Sequence, residues 1–130
     1  MLQELFIMAA GSRRFPKNEH MRHQWEFERV KKSGLTVKGQ WMTLSLVSCP
    51  DRLERLVGFI VTRRYGGAVE RNLFRRRMRE IYRLNRKQLK RGIHLVLIAR
   101  SSDQKVSYCQ MNEEFLSLYR TAVTRLCGNG

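Results

Sequence analysis

Cationic side chains are concentrated in one segment of this 130-residue chain, from Ala68 to Gly92. The segment carries ten basic residues and only two acidic ones, Glu70 and Glu80. Most of the basic residues are arginines, whose planar guanidinium group can hold a phosphate through two hydrogen bonds and can stack on a base. A helix exposed only to water usually mixes acidic residues among the basic ones at i, i+4 spacing. The segment therefore predicts a surface that binds a polyanion.

If the segment is one helix, its side chains sort into two sides. At about 100° per residue, one arc of roughly 160° holds these basic residues: Arg71, Arg75, Arg76, Arg79, Arg83, Arg86, Lys87 and Lys90. The opposite side holds Leu73, Phe74, Met78, Ile81 and Leu84. Arg77 and Arg91 fall among the apolar residues, and Tyr82 and Leu89 lie near the edge of the basic arc. The pattern predicts a cationic outer side and a core-facing inner side.

A glycine turn precedes this helix. Tyr65, Gly66 and Gly67 let the backbone turn closely into the helix, whose free amide groups and dipole favour an anion. Arg63 and Arg64 stand just before the turn and predict further phosphate contacts. An ordinary strand-to-helix connection could contain the same two glycines. The prediction of phosphate binding therefore depends on the neighbouring arginines.

Residues that could catalyse a reaction are not assembled in the sequence. His20 and His23 share i, i+3 spacing, but no cysteine or carboxylate pattern accompanies them, so the sequence predicts no metal site. Cys49, Cys109 and Cys127 lie far apart without CxxC spacing, which is typical of reduced thiols in a cytosol. No nucleophile, base and orienting group are evident, and neither is a phosphate-binding loop motif. The sequence predicts a binding protein without catalytic residues.

Composition favours one folded domain with a nucleic-acid partner. Hydrophobic residues make up 42% of the chain, as in globular proteins. The formal net charge is +15 and the sequence pI is about 10.9, an excess that a polyanion neutralises. Residues 1–17 predict a flexible N-terminal arm, and residues 18–130 a single domain. Glu4 precedes a short apolar stretch and argues against a signal peptide, and no run reaches the ~18 apolar residues of a membrane span.

Apolar periodicity predicts the elements that position the basic segment. Met21 to Val30 has helical spacing, and Gly34 follows as a stop. The stretch 35–48 alternates like strands, with Met42, Leu44 and Leu46 opposite Trp41, Thr43 and Ser45, and with Gly39 as a break. Continuous apolar runs at 57–62 and 93–99 predict strands that are buried on both faces. The order strand, basic helix, strand predicts a sheet covered by helices.

A last helix is predicted from Ser107, which has capping-box spacing to Gln110. An apolar stripe follows along this helix: Met111, Phe115, Leu118, Tyr119, Ala122, Val123 and Leu126. Because the stripe continues over several turns, it predicts a core-facing side rather than a partner-binding one.

The run VTRRYGGAVERNLFRRRMRE, from Val61 to Glu80, closely resembles the signature of the protein subunit of bacterial ribonuclease P. The resemblance extends to the first helix around Phe27 and to the strands on either side of the signature. It implies an α+β fold of αβββαβα order with a four-stranded mixed sheet, similar to a domain of ribosomal proteins. It also implies that the basic helix links parallel strands by a left-handed crossover, where general rules predict a right-handed one.

The same resemblance implies a function. In the family, a large RNA subunit holds Mg²⁺ and cleaves precursor tRNA, releasing the 5′ leader, and the protein binds that RNA and the leader. We therefore expect a non-catalytic subunit of a cytoplasmic endoribonuclease, bound 1:1 to its RNA, with no membrane association. The signature positions expected to contact the catalytic RNA are Arg71, Asn72, Arg75, Arg76 and Arg79, with phosphate contacts from Arg63 and Arg64.

Three residues are assigned to the leader cleft. Phe27 matches a cleft aromatic residue in the family. Lys31 stands where a second aromatic residue is often found, and Trp41 is considered as its replacement. A further departure is Leu73, where the family usually has a third signature arginine. Two alternatives remain open: an RNA-binding protein of ribosomal type, which the composition supports equally, and a self-sufficient metal nuclease, which lacks clustered carboxylates.

Overall fold

Three helices and four strands make up the described part of the chain. The computed structural model describes residues 19–49, 54–100 and 106–129, so the predicted arm at residues 1–17 lies outside it. The elements are α1 (Gln24–Ser33), β1 (Leu35–Lys38), β2 (Met42–Ser48), β3 (Leu56–Ile60), α2 (Ala68–Asn85), β4 (Ile93–Ala99) and α3 (Tyr108–Asn129). The predicted αβββαβα order is confirmed.

The four strands form one mixed sheet in the order β1-β2-β4-β3. β1 pairs with β2 and β2 with β4 in antiparallel fashion, whereas β3 runs parallel to β4. β4 lies inside the sheet and is buried on both faces, as its apolar run predicted. The other apolar run, β3, lies beside β4 at the end of that order, and its last two residues, Phe59 and Ile60, are only half-buried.

Each face of the sheet packs against different helices. The larger core joins inward residues of β2 and β4 to α2 and α3, with Leu44, Leu97, Phe74 and Phe115 among its buried side chains. The predicted α3 stripe belongs to this core. On the opposite face, α1 covers a smaller cluster that contains Val30 and Val96. Alternation along the strands produces these two apolar faces, since successive side chains point to opposite sides.

The connection from β3 to β4 through α2 is left-handed. The Val57 carbonyl accepts a hydrogen bond from the N–H of Met21 at 2.9 Å, so it points away from β4, while the Val57 side chain lies in the larger core beside α2. Consider a strand of L-residues that runs upward, seen from the side to which one residue's side chain points. The carbonyl group of that residue then points to the viewer's right. β4 therefore lies to the left of β3 when seen from the α2 side, which gives the rarer hand.

The basic helix is shorter than the sequence predicted, and the expectation of one helix up to Gly92 is wrong. α2 ends at Asn85, and a 3-10 turn follows at Arg86–Gln88. The Asn85 amide donates to the Ile81 carbonyl and to Asn112 Oδ1 of α3, both at 2.8 Å. Such side-chain bonds compete with the helical backbone pattern. Chain reversal is completed at Gly92, whose φ of 79° suits glycine.

Candidate nucleic-acid interface

The outward side of α2 carries the residues that the signature predicted. Burial of Phe74, Met78 and Ile81 against the sheet fixes which side of the helix faces out. We call the following set the arginine face: Arg71, Asn72, Arg75, Arg76 and Arg79. Asn72, Arg76 and Arg79 are exposed, and the other two side chains are half-buried. The structure thus brings all five residues together within three turns of one helix.

Local hydrogen bonds order part of the arginine face. Arg75 Nη1 donates to Asn72 Oδ1 at 3.2 Å, and Arg71 Nη1 donates to the Gly66 carbonyl at 2.8 Å. A shallow groove lies among these side chains and is lined by Val69, Asn72, Leu73, Arg75, Arg76 and Arg79. Within the described residues, no carboxylate forms an ion pair with the four arginines of the face. Their charge is therefore available to a polyanion.

Other basic residues of the segment serve the protein itself. Arg83 pairs with Glu80 at 2.6 Å, and Arg86 pairs with the buried carboxylate of Glu19. Arg77, which interrupted the apolar side of the helical wheel, donates to the Val106 carbonyl at 3.1 Å. The predicted arc is therefore too wide, because it included Arg83 and Arg86, whose charges are paired with carboxylates.

Positions at the end of the segment also differ from the helical wheel. Lys87 and Lys90 lie beyond the end of α2, so the wheel does not place them. Leu84 was predicted on the core side but is 58% exposed, whereas Tyr82, predicted near the basic edge, is fully buried. The cationic surface on α2 is concentrated in its first three turns.

Arg63 and Arg64 are exposed immediately before the glycine turn, as an anion-binding position requires. The turn is fixed by Tyr65, whose N–H donates to the Thr62 carbonyl at 3.0 Å and whose ring packs edge-on against Phe74 at 5.3 Å. The carboxylate of Glu70 lies against the turn: a Cβ at Gly67 would be 3.0 Å from Glu70 Oε1. This carboxylate already complements the helix dipole, so phosphate contact here depends on the arginines.

The predicted cleft residues do not all share one surface. Phe27 packs over Gly58 of β3 on the α1 side of the sheet, and Lys31 is exposed one turn later. The Trp41 side chain instead packs with the larger core, and the Trp41 backbone N–H donates to Glu114 Oε1 of α3 at 2.8 Å. Trp41 therefore lies on the opposite face of the sheet from Phe27. The expectation that it replaces an aromatic residue in the same cleft is wrong.

Sequence reasoning missed an electrostatic interaction between the arginine face and the segment before α1. Burial, together with the charges of Arg79 and Arg22, lowers the pKa of His20 below its ordinary value. These side chains are thus close enough to interact, and the exposed Arg22 adds a positive charge beyond α2, whereas the lowered pKa favours the neutral form of His20. The only sequence signal was their basic character, because the interacting residues are almost sixty positions apart in the chain.

Two further properties concern metals and membranes. In the described ranges, no three histidine, cysteine, aspartate or glutamate side chains come together as a metal site would require. No helix within those ranges has the length and apolar character needed to cross a bilayer.

Comparison with known proteins decides the family. The family model for ribonuclease P matches residues 15–123. This chain belongs to the ribonuclease P protein family. The ribonuclease P protein component of Finegoldia magna is 33% identical over 111 residues, covering 85% of this chain and 96% of that protein. The component of Chloroflexus aurantiacus is 35% identical over 103 residues, covering 78% and 76%.

Solved structures agree with the fold. The Staphylococcus aureus RNase P protein superposes with a TM-score of 0.73 at 19% identity, covering 80% of this chain and 94% of that one. The Thermotoga maritima RNase P protein gives a TM-score of 0.70 at 25% identity, covering 79% and 96%. The predicted α+β fold is confirmed. Membership of the family also confirms the predicted assignment to tRNA processing within a ribonucleoprotein that has endoribonuclease activity.

Proposed function

We propose that this chain binds the catalytic RNA of ribonuclease P through the arginine face and assists the RNA in removing the 5′ leader of precursor tRNA. The observation that carries the proposal is the arrangement of Arg71, Arg75, Arg76 and Arg79 on one outward side of α2 without paired carboxylates among the described residues. Exposed Arg63 and Arg64 extend this surface towards the strand that precedes the helix.

Electrostatics is the physical basis of this assistance. RNA subunit, leader and substrate are all polyanions, and their approach is opposed by phosphate repulsion. Arginines that neutralise phosphates release condensed counterions and favour the assembly. In this proposal Mg²⁺ is held mainly by the RNA subunit and the chain supplies no catalytic group. One protein binds one RNA, in the cytoplasm.

The leader, in the same proposal, runs along the side of the sheet that α1 partly covers. Phe27 is half-buried there, with its ring against the β3 backbone at Gly58, so the ring is held in place. Stacking on an aromatic ring tolerates any base, which suits leaders of varied sequence. With Lys31 in place of a second ring, the contact one turn later is electrostatic.

Reconstitution with a bacterial ribonuclease P RNA tests the proposal. At low Mg²⁺ concentration we expect the chain to increase the rate of precursor-tRNA cleavage, and we expect this advantage to shrink as Mg²⁺ rises and screens the phosphates. A ribosomal-type RNA-binding protein would bind RNA without this stimulation. Cleavage by the protein alone with Mg²⁺ would instead indicate a metal nuclease. Either of these two results contradicts the proposal.

A further inference from the structure

Trp25 is a large aromatic side chain that belongs neither to the arginine face nor to the cores. It is 56% exposed, although tryptophan is among the side chains that gain most from burial. Trp25 and Phe27 are both in the first turn of α1, but at about 100° per residue they point to nearly opposite sides of the helix. Phe27 faces the sheet, so Trp25 faces outward.

Two neighbouring side chains order the Trp25 ring. The His23 ring lies within 10° of parallel to it, with centroids 6.1 Å apart, which is an offset stack. The guanidinium carbon of Arg29 is 6.0 Å from the Trp25 centroid. Arg29 is itself anchored, because its Nη2 donates to Nδ1 of the buried His94 in β4. The ring is therefore partly ordered while more than half of its surface remains in water.

The charges around Trp25 suit an anion. Arg22 and Lys32 are exposed on the same segment, and Arg29 is half-buried. Two acids also stand on this segment. Glu26 Oε1 accepts hydrogen bonds from the backbone N–H groups of Arg22 and His23, each at 2.9 Å, and the exposed Glu28 accepts one from the Gln24 side-chain amide at 3.3 Å. The cations on the segment outnumber these two carboxylates. An exposed aromatic ring among cations is the arrangement by which proteins bind single-stranded nucleic acid without sequence preference.

We propose that Trp25, ordered by His23 and Arg29, is a stacking site for an unpaired base of single-stranded RNA. This RNA is the 5′ leader of precursor tRNA, an assignment that rests on the proposed function. α1 is the element that presents Phe27 to the leader, and both rings belong to its first turn. A strand that leaves the Phe27 side around the amino end of α1 reaches Trp25 within a few nucleotides.

Fluorescence tests the stacking site in the protein alone. The chain has two tryptophans, so Trp41→Phe leaves Trp25 as the single tryptophan and Trp25→Phe leaves Trp41, and indole emission is excited selectively over the tyrosines. Oligouridylate RNA should quench the first variant but not the second, because stacked bases quench indole. Inorganic polyphosphate of the same charge should leave the first variant unquenched. Equal quenching by polyphosphate, or none by RNA, overturns the proposal; should Trp41→Phe not fold, the difference between wild type and Trp25→Phe gives the same readout.

Binding measurements separate stacking from simple apolar contact. Trp25→Leu keeps an apolar side chain but loses the ring, and it should weaken oligouridylate binding about tenfold, equivalent to about 1.4 kcal/mol. Trp25→Phe keeps a ring and should retain most of the affinity. Equal affinities for the leucine variant and the wild type would overturn the proposal.

Holoenzyme measurements identify the source of the base. With the catalytic RNA bound, Trp25→Leu should weaken binding of a precursor with a long leader and leave a precursor with a shortened leader unaffected. An equal loss for both precursors, or weaker binding of the catalytic RNA itself, would overturn the leader assignment. The proposed function fails separately, if the wild-type chain does not stimulate cleavage at all.

Discussion

Arg86 donates through Nε and Nη2 to the carboxylate of Glu19, which lies 67 residues earlier in the chain. The Tyr82 hydroxyl donates to the same carboxylate at 2.7 Å, and the Glu19 side chain is only 6% exposed. The segment before α1 is thereby attached to the carboxyl end of α2. This attachment explains why the charge of Arg86 is compensated within the protein, and why His20 lies near Arg79.

Glu19→Gln should destabilise the fold by about 2 kcal/mol at neutral pH. Removing one partner of a buried ion pair leaves the other charge uncompensated, and the partial exposure of Arg86 reduces that cost. Chemical denaturation at pH 7 measures the difference from wild type. Glu113→Gln, at an exposed position, is the control and should change stability little.

Acid should remove the advantage that Glu19 confers. Burial alone would raise the pKa of Glu19, but hydrogen bonds from Arg86 and Tyr82 and the charges of Arg86 and Arg55 hold the pKa below the ordinary 4.5. A carboxyl with a lowered folded-state pKa contributes stability above its unfolded pKa and loses it as pH falls through the folded value. Wild type and Glu19→Gln should therefore converge in stability below about pH 4.5. A difference that persists unchanged into stronger acid would contradict the ion-pair account.

Arg76→Ala and Arg79→Ala should each weaken RNA binding and lower its salt dependence. Loss of one phosphate contact reduces the slope of log affinity against log salt by about 0.7–0.9. Arg77→Ala is the matched control on the same helix, because Arg77 is used internally on the Val106 carbonyl. It should lower stability by about 1 kcal/mol and leave the salt slope unchanged. The measurement is the affinity of each variant for the catalytic RNA at several salt concentrations. Identical salt slopes for all three variants would contradict RNA binding by the arginine face.

Gly58→Ala should destabilise the protein by about 1–3 kcal/mol, since a methyl group there overlaps the Phe27 ring and also lies 3.0 Å from Met21 Sδ. Thermal or urea denaturation measures this loss. The overlap also predicts that Phe27→Leu partly rescues the alanine variant, because the two changes are coupled through one contact. Strictly additive losses in the double variant would show that Phe27 is not the cause.

Elements with strong periodicity were predictable from the sequence. The α3 stripe and the Ser107–Gln110 capping box were confirmed, with Gln110 N–H donating to Ser107 Oγ at 3.2 Å. Local spacing fully specifies such features. The end of α2 was not predictable, because its stop depends on the bond from Asn85 to Asn112, which is distant in sequence.

The sequence predicted which arginines share the outward side of α2, but it overestimated how far this exposed cationic surface extends. Arginines that stay exposed and arginines with internal partners look alike in a sequence, and the partners of Arg77 and Arg86 are distant in the chain. The prediction that Trp41 belongs to the leader cleft was wrong for a related reason. It lies in the turn before β2 begins at Met42, where strand alternation does not apply, and a carboxylate of α3 fixes its backbone.

The α3 carboxylate that fixes the Trp41 backbone belongs to Glu114. Glu114→Ala should destabilise the fold by about 2 kcal/mol. Glu114 accepts hydrogen bonds from three successive N–H groups, those of Gln40, Trp41 and Met42, at 2.8–3.0 Å. Gln40 and Trp41 stand in the β1–β2 turn and Met42 begins β2, so the carboxylate connects the end of that turn to α3. Removing an acceptor from backbone groups that are partly shielded costs more than removing an exposed charge, because water replaces it incompletely.

The neighbouring Glu113→Ala provides the control for Glu114→Ala, since its side chain is exposed and both changes remove one negative charge from α3. It should shift stability by no more than about 0.5 kcal/mol. Amide hydrogen exchange adds a local readout: Gln40, Trp41 and Met42 should exchange faster in Glu114→Ala but not in Glu113→Ala. If both variants lose the same stability and exchange alike, net charge rather than these three hydrogen bonds holds the turn. Neither change touches the arginine face, so the salt slope of RNA binding should not distinguish them.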